Sequence, residues 1–343
     1  MTKFTVELSE RSYPIHIGAG LLSRAGEYFN LNRRVLLLTD AGVPAEYSQA
    51  VAAQVTGEAR IHTVPVGEGS KSLSTLEEVL TVMSEMRMGR RDCVVAVGGG
   101  VVGDLAGFAA AVYMRGIEFY NIPSTLLAMV DSSIGGKTAV NLGGVKNIVG
   151  AFHQPSGVLI DPEVLATLDS RLCAEGLCEA IKMAATSNAE LFEYFENSTP
   201  EEVYSNIEWV ITEALRIKKA VVECDEREGG LRRVLNFGHT FGHGIEAERR
   251  GRLYHGECVA LGMLPMCSEG VRGRLSAVLR AHGLPTEYSG DLTLALEYAS
   301  HDKKAQGGGV DAVIVDKIGT HRIERLDAAA LAARVGAVFG IKG

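Results

Sequence analysis

Three histidines of the chain, His239, His243 and His255, lie close together in the sequence. Imidazole is the commonest side-chain ligand of catalytic transition metals. His239 and His243 are four residues apart in a segment with helical spacing, so both side chains lie on one face of a helix. This spacing favours a metal site on that pair, whereas surface or capping histidines are the alternative that the segment leaves open.

A glycine-rich turn, Gly98–Gly103, is the second segment with chemical character. The apolar run Cys93–Val97 predicts a strand before the turn, and small residues predict a helix after it. The turn matches G-x-G-x-x-G, a pattern in which glycine lets the backbone approach a pyrophosphate at a helix N-terminus. We expect dinucleotide binding here, against the alternative of a plain turn.

Two further segments bear on nucleotide binding. Asp40 ends the apolar run Val35–Thr39 and is a candidate for binding a ribose diol, with a turn or helix cap as the equal alternative. The segment Asp131–Thr138 ends like a phosphate-binding P-loop. Asp131 stands where that loop requires its first glycine, so the sequence excludes a P-loop NTPase.

Lysines stand beside these motifs, at Lys137, Lys146, Lys182, Lys218-Lys219 and Lys303-Lys304. A lysine in a cleft binds phosphate or carboxylate as a point charge. Any one of them is compatible with a solvated surface residue, but the group indicates an anionic substrate.

Composition limits the function classes. With 343 residues the chain favours two domains, and a net charge of -8 with a pI near 5.7 argues against nucleic acid as a partner. No apolar run is long enough to span a membrane, and we expect no secretory signal. The six cysteines lack CxxC spacing, which favours reduced thiols in the cytoplasm.

The pattern of elements changes along the chain. Residues 1–162 alternate short apolar runs with helical segments, which predicts an α/β domain with a mostly parallel sheet. Residues 163–343 predict a mainly α-helical domain, with one long helix at Ala174–Phe195 and no strand before Ala312–Ile318. The strands expected in the first domain are Phe4–Leu8, Tyr13–Ile17, Val35–Thr39, Ile61–Val66, Cys93–Val97, Glu118–Ile122 and Gly157–Ile160.

Several longer motifs occur in one order over nearly the whole chain. They are Gly98–Phe108, Tyr113–Gly116, Pro123–Leu127, Asp131–Thr138, Lys146-Asn147, Gly150–Pro155, Glu179–Lys182, Leu235–His243, His255–Glu257 and Asp302–Lys304. Together they resemble the 3-dehydroquinate synthase family of sugar-phosphate cyclases. The resemblance implies an N-terminal NAD-binding domain, a helical C-terminal domain that binds metal and substrate, and a homodimer.

The resemblance also implies a role for individual residues. It implies that Glu179, His239 and His255 bind the metal, which is zinc or less often cobalt. This ligand set replaces the pair His239 and His243 that helical spacing favoured. Residues that resemble contacts to the substrate carboxylate and hydroxyls are Asp131, Lys218, Arg232 and one of the pair Lys303-Lys304, of which Lys304 is favoured. Those that resemble the phosphate pocket are Lys137, Lys146, Asn147, Lys182, Asn236 and His243, with Arg115 reaching it from the other subunit. Those that resemble NAD contacts are Asp40, Glu68, Lys71, Gly99, Gly100, Val101, Asp104, Ser124 and Thr125.

The family's reaction converts 3-deoxy-D-arabino-heptulosonate 7-phosphate into 3-dehydroquinate and phosphate, in the shikimate pathway. It proceeds by transient oxidation with NAD, phosphate elimination, re-reduction, ring opening and intramolecular aldol closure, without net redox change. The alternatives are a sibling cyclase, a metal-dependent polyol dehydrogenase and a non-enzymatic NAD sensor. Siblings tend to differ at Lys218, Asn236 and Lys304, and a dehydrogenase needs no phosphate pocket.

Overall fold

A computed structural model describes residues 1–9, 11–227, 229–301 and 309–340, except for the side chains of 300 and 301. The chain forms two compact units, residues 1–169 and 170–343. Within the described residues, none of the helices combines the length and apolar character needed to cross a membrane.

The first unit is an α/β domain. Its central strands are apolar runs buried on both faces, which is the pattern of a sheet covered by helices. Its strands are β1 (Thr2–Val6), β2 (Tyr13–Ile17), β3 (Val35–Asp40), β4 (Ala59–Val64), β5 (Cys93–Gly98), β6 (Glu118–Pro123), β7 (Lys137–Leu142), β8 (Val145–Phe152) and β9 (Gly157–Ile160). Its α-helices are α1 (Ala25–Tyr28), α2 (Ala45–Ala52), α3 (Leu73–Glu85) and α4 (Gly100–Val112).

Seven strands form one sheet in the order β1-β2-β9-β6-β5-β3-β4. Only β1 and β2 pair in antiparallel fashion, so the prediction of a mostly parallel sheet is confirmed. The neighbouring strands β3, β5 and β6 end at Asp40, Gly98 and Pro123. Because parallel strands end at one edge, the segments after them share the edge where α/β sheets bind ligands.

The hairpin of β7 and β8 is a strand pair that the sequence analysis missed. Its two-residue turn, Gly143-Gly144, has φ values of 60° and 80°. Glycine adopts this left-handed conformation without strain, and a glycine pair between apolar runs is a hairpin signal. The hairpin carries Lys137, Lys146 and Asn147.

The second unit is mainly helical, as predicted. It contains α5 (Ser170–Ser187), α6 (Ala189–Asn197), α7 (Pro200–Ser205), α8 (Ile207–Cys224), α9 (His239–Arg249), α10 (His255–Met263), α11 (Glu269–Ala281), α12 (Leu292–His301), β10 (Val310–Ile314), β11 (Arg322–Leu326) and α13 (Ala328–Phe339). The single helix predicted for Ala174–Phe195 is wrong. The chain leaves α5 at Asn188, whose side-chain oxygen accepts a hydrogen bond from Leu191 N–H (3.1 Å) and caps α6.

Helices α9 and α10 pack with their backbones in contact. A Cβ atom on Gly262 would lie 2.0 Å from the carbonyl oxygen of Gly238 and 2.7 Å from the amide nitrogen of Gly242. No side chain fits at such distances, so glycine at this crossing sets the spacing of the two helices that carry His239 and His255.

We expect Gly262→Ala to destabilise the protein by about 1–3 kcal/mol, because overpacking forces the backbones apart. Gly273→Ala in α11 is the matched control, since a Cβ atom there meets nothing within 4 Å. It should leave stability unchanged or raise it by about 0.5–1 kcal/mol, because alanine is the better helix former. Urea unfolding of both variants checks this, and equal midpoints would show that the crossing tolerates a side chain.

Candidate functional site

The centre of the candidate site in the second unit is a buried carboxylate. Glu179 and Lys182, three residues apart on α5, have side-chain exposures of 1% and 2% and form an ion pair through Glu179 Oε2. Neither carboxylate oxygen has a hydrogen-bond partner of good geometry among the described residues. Burying a carboxylate in this way is costly unless cations or a metal compensate its charge.

Two imidazoles face this carboxylate. Nε2 of His239 lies 4.0 Å from Glu179 Oε1, and Nε2 of His255 lies 3.8 Å from the same oxygen. The two rings are 5.1 Å apart between centroids. His239 begins α9 and His255 begins α10, so the glycine crossing of these helices brings the two rings together.

The local charges act on the two histidines in opposite directions. Burial, reinforced by the positive charge of Lys182, holds the pKa of His239 well below its usual value. Burial would also lower the pKa of His255, but the hydrogen bond to Glu246 and the charge of Glu179 outweigh it and the pKa is raised. His239 is therefore the neutral imidazole that a metal requires. His255 instead lies between the carboxylates of Glu246 and Glu179.

These donors fit a divalent metal ion. Glu179, His239 and His255 each offer one ligand atom, and the three atoms lie within 4.8 Å of one another. One carboxylate and two imidazoles are the donor set of open, catalytic zinc sites. A second triad, His243, Glu246 and His255, meets the same distance limit. Within the described residues neither triad contains both His239 and His243, so geometry does not support the pairing that spacing alone favoured.

Helix α10 is fixed to α5 by a charged clamp. Nε and Nη2 of Arg171 both donate to Glu257, each over 2.7 Å, and the guanidinium lies 4.1 Å above the Tyr254 ring. Glu257 also accepts from Tyr254 N–H (2.8 Å), which ties its side chain to the start of α10. Since His255 lies between these two residues, the clamp fixes its backbone.

The other predicted residues of the second unit lie around the connection from α8 to α9. Lys218 on α8 is buried, and Arg232 is buried with Nη1 donating to the Glu226 carbonyl (2.8 Å). Asn236 ends the 3₁₀ turn that carries Arg232. Lys303 and Lys304 lie outside the described residues.

In the first unit, the predicted nucleotide contacts follow the ends of three strands. Gly99 precedes α4 without any side-chain cap, which leaves the first N–H groups of the helix available to an anion. Ser124 and Thr125 follow β6, and a Cβ atom on Gly99 would lie 3.1 Å from Thr125 Cγ2. Asp40 ends β3 and accepts a hydrogen bond from Gly42 N–H (2.8 Å), which is the turn-cap role considered as its alternative.

A buried lysine joins three further predicted residues of this unit. Nζ of Lys71 lies 2.6 Å from Asp104 Oδ2, donates to the side-chain oxygen of Asn147 and lies 3.8 Å from Glu68 Oε1. Asn141 closes the network, because it donates to Glu68 and accepts from Asn147 N–H, both over 2.8 Å. The proposed NAD contacts are thereby tied to the β7–β8 hairpin.

The matches of this chain to known proteins agree with the geometry. The family model described as 3-dehydroquinate synthase N-terminal matches residues 61–175, and the model described as 3-dehydroquinate synthase C-terminal matches residues 176–305. The chain belongs to the 3-dehydroquinate synthase family. Membership of this family confirms the prediction from the motifs that the chain is an enzyme, a 3-dehydroquinate synthase.

Individual relatives cover almost all of the chain. A 3-dehydroquinate synthase of Enterococcus faecalis is 41% identical, over 94% of this chain and 96% of the relative. One of Rhodospirillum rubrum is 44% identical, over 92% and 89%. Among solved structures, the 2-epi-5-epi-valiolone synthase of Streptomyces hygroscopicus, with NAD+ and Zn2+ bound, is 29% identical with a TM-score of 0.87 over 97% of this chain and 98% of that one.

The sequence analysis assigned no role to four residues of the site: Arg171, Glu257, Asn141 and Glu246. Glu257 lies in the motif His255–Glu257, but its contact with Arg171 is distant in sequence and has no local signal. Glu246 had a local signal, because it lies two helical turns after His239 and therefore on the same face. Arg171 and Asn141 contact partners distant in sequence, which no local pattern predicts.

Proposed function

We propose that the chain forms 3-dehydroquinate and phosphate from 3-deoxy-D-arabino-heptulosonate 7-phosphate, with NAD and a divalent metal as cofactors. The observation that carries the proposal is the buried Glu179 carboxylate facing two imidazoles, in a chain of this family. The lysines beside this cluster and on the hairpin suit a phosphorylated substrate.

Glu179, His239 and His255 would hold the metal, for which we favour zinc over cobalt. When bound, such an ion polarises a substrate hydroxyl and lowers its pKa. The protein prepares the site by lowering the pKa of His239, which keeps that imidazole neutral, and by placing Lys182 beside Glu179. The same lysine offers its ammonium group to an anionic substrate.

The first unit would bind NAD at the carboxyl edge of its sheet, through the start of α4, Asp40, Ser124, Thr125 and the Lys71 network. When bound, NAD would supply reversible hydride transfer with no net redox change. The uncapped N–H groups at Gly99–Val101 suit the pyrophosphate. Asp104 fixes Lys71, and Lys71 fixes Asn147. Two proposed NAD contacts therefore orient Asn147, which is a proposed contact of the substrate phosphate.

The remaining residues position the substrate. Lys137, Lys146, Asn147, Lys182, Asn236 and His243 supply hydrogen-bond donors for the phosphate, and Asp131, Lys218, Arg232 and Lys304 hold the carboxylate and hydroxyls. Positively charged groups around a leaving phosphate align it and stabilise the charge that develops. The six cysteines all lie within the described residues and form no disulfide there, which supports a cytoplasmic location.

We also propose a homodimer. The segment before β6 and the β7–β8 hairpin expose the apolar side chains Val112, Met114, Leu142, Val145, Ile148 and Phe152. Met114 and Arg115 have left-handed φ values of 49° and 70°, which are uncommon for residues other than glycine and occur at functional sites. A second copy of the chain would cover this surface, and Arg115 would enter its phosphate pocket.

The protein loaded with zinc and NAD should release phosphate from the heptulosonate phosphate without accumulating NADH. Simultaneous phosphate and absorbance assays check this. Accumulation of one NADH per substrate would instead indicate a polyol dehydrogenase. Release of phosphate only from a different sugar phosphate would indicate a sibling cyclase.

His255 and His243 should differ when each is replaced by alanine. His255→Ala should lose bound metal, whereas His243→Ala should keep it and lose turnover, because the first is a ligand and the second a phosphate contact. Metal content by atomic emission and phosphate release measure the two effects. Equal metal loss in both variants would contradict these roles.

Arg115→Ala and Lys182→Ala should each be inactive alone but restore activity in mixed dimers. If Arg115 acts in the other subunit, a purified mixed dimer has one intact site of two and about half of wild-type activity, whereas an unseparated random mixture has about a quarter. Co-expression with two affinity tags provides the mixed dimers. Lys182→Ala mixed with His255→Ala is the matched control and restores nothing, and the same result for the Arg115 mixture would place Arg115 in its own site.

A further inference from the structure

His255 has a carboxylate at each ring nitrogen. Nε2 faces Glu179 Oε1 at 3.8 Å, and Nδ1 lies 3.3 Å from Oε2 of Glu246. Glu246 is half-buried on α9, the helix that carries His239. This helix therefore also contacts His255, on the side of the ring that faces away from Glu179.

The hydrogen bond at Nδ1 has a chemical consequence. A neutral imidazole has one N–H group and one lone pair, and it binds a metal through the lone pair. A carboxylate at Nδ1 keeps the proton on that nitrogen, which leaves the lone pair on Nε2 and fixes the plane of the ring. His239 is oriented in the same sense by a weaker acceptor, since its Nδ1 lies 3.2 Å from the Phe237 carbonyl oxygen.

In an alternative arrangement, Glu246 would itself be a metal ligand, together with His243 and His255. Both triads contain His255, and filling both would require a ring without any proton. The triad with Glu179 is favoured because its carboxylate is buried and lacks a well-aligned hydrogen-bond partner, whereas His243 is exposed. Glu246 then remains an acceptor for the ring N–H.

We propose that Glu246 is a positioning residue, which fixes the tautomer and orientation of His255 as a metal ligand. This role rests on the proposed metal site and deepens it. Because the carboxylate contacts the ring and not the ion, its removal weakens the metal site without abolishing it. Losses of ten- to a hundredfold in metal affinity are typical when such a partner is removed.

The test measures zinc dissociation constants by chelator competition. Glu246→Ala should weaken zinc binding by about 10- to 100-fold and Glu246→Gln by less, since the amide oxygen still accepts a hydrogen bond. Glu193→Gln on α6 is the matched control, because this exposed glutamate lies on another helix and should leave zinc affinity unchanged. At alkaline pH, where the rings are neutral, selectively ¹⁵N-labelled histidine in the metal-free protein should show His255 with its proton on Nδ1 in the wild type and a mixture of tautomers in Glu246→Ala.

Three outcomes would overturn the role of Glu246. One is wild-type zinc affinity in Glu246→Ala. Another is an unchanged His255 tautomer in that variant. The third is two zinc ions per wild-type chain with one lost in Glu246→Ala, which would make Glu246 a ligand. A wild-type protein that binds one zinc ion but releases no phosphate from the heptulosonate phosphate would contradict the proposed function and leave this role intact.

Discussion

The candidate site is organised around the burial of one negative charge. Glu179 is almost entirely removed from solvent, and a carboxylate in such surroundings is stable only when positive charge or a metal lies beside it. Lys182 supplies one cation from the same helix. The two imidazoles supply lone pairs at distances that leave space for an ion between them and the carboxylate. The helices that carry these groups are positioned to satisfy this single requirement.

Two different interactions hold those helices in place. Glycines bring α9 and α10 into backbone contact, which sets the separation of His239 and His255. A two-pronged ion pair between Arg171 and Glu257 then fixes the start of α10 to α5, on which Glu179 lies. Burial would raise the pKa of Glu257, but the hydrogen bonds from Arg171 and from Tyr254 N–H outweigh it, so the clamp carries its full charge. Short-range packing and a charge-assisted hydrogen bond thus together position the three proposed metal ligands.

In the first unit, a parallel sheet brings together the predicted nucleotide contacts. Parallel strands end at one edge, so residues far apart in the sequence reach the same region without any special contact. The hairpin is the exception, because it lies outside this sheet and needs its own attachment. Lys71 provides one: a buried ammonium group with three donors contacts α4 and β8 at once.

The sequence by itself determined the features that depend on local patterns. The buried apolar runs of β3 and β5, the glycine turn before α4 and the helical texture of the second unit all follow from short-range spacing, and the order of the motifs identified the family. Helical spacing could not identify the proposed metal ligands, because it places His239 and His243 on one helical face and so makes them a plausible ligand pair. The family resemblance named Glu179, His239 and His255, but only the tertiary structure shows why His239 faces the other two, because that arrangement depends on a helix crossing set by Gly238 and Gly262. The same holds for Arg171 and Asn141, whose partners are distant in the sequence and meet them only after the backbone has folded.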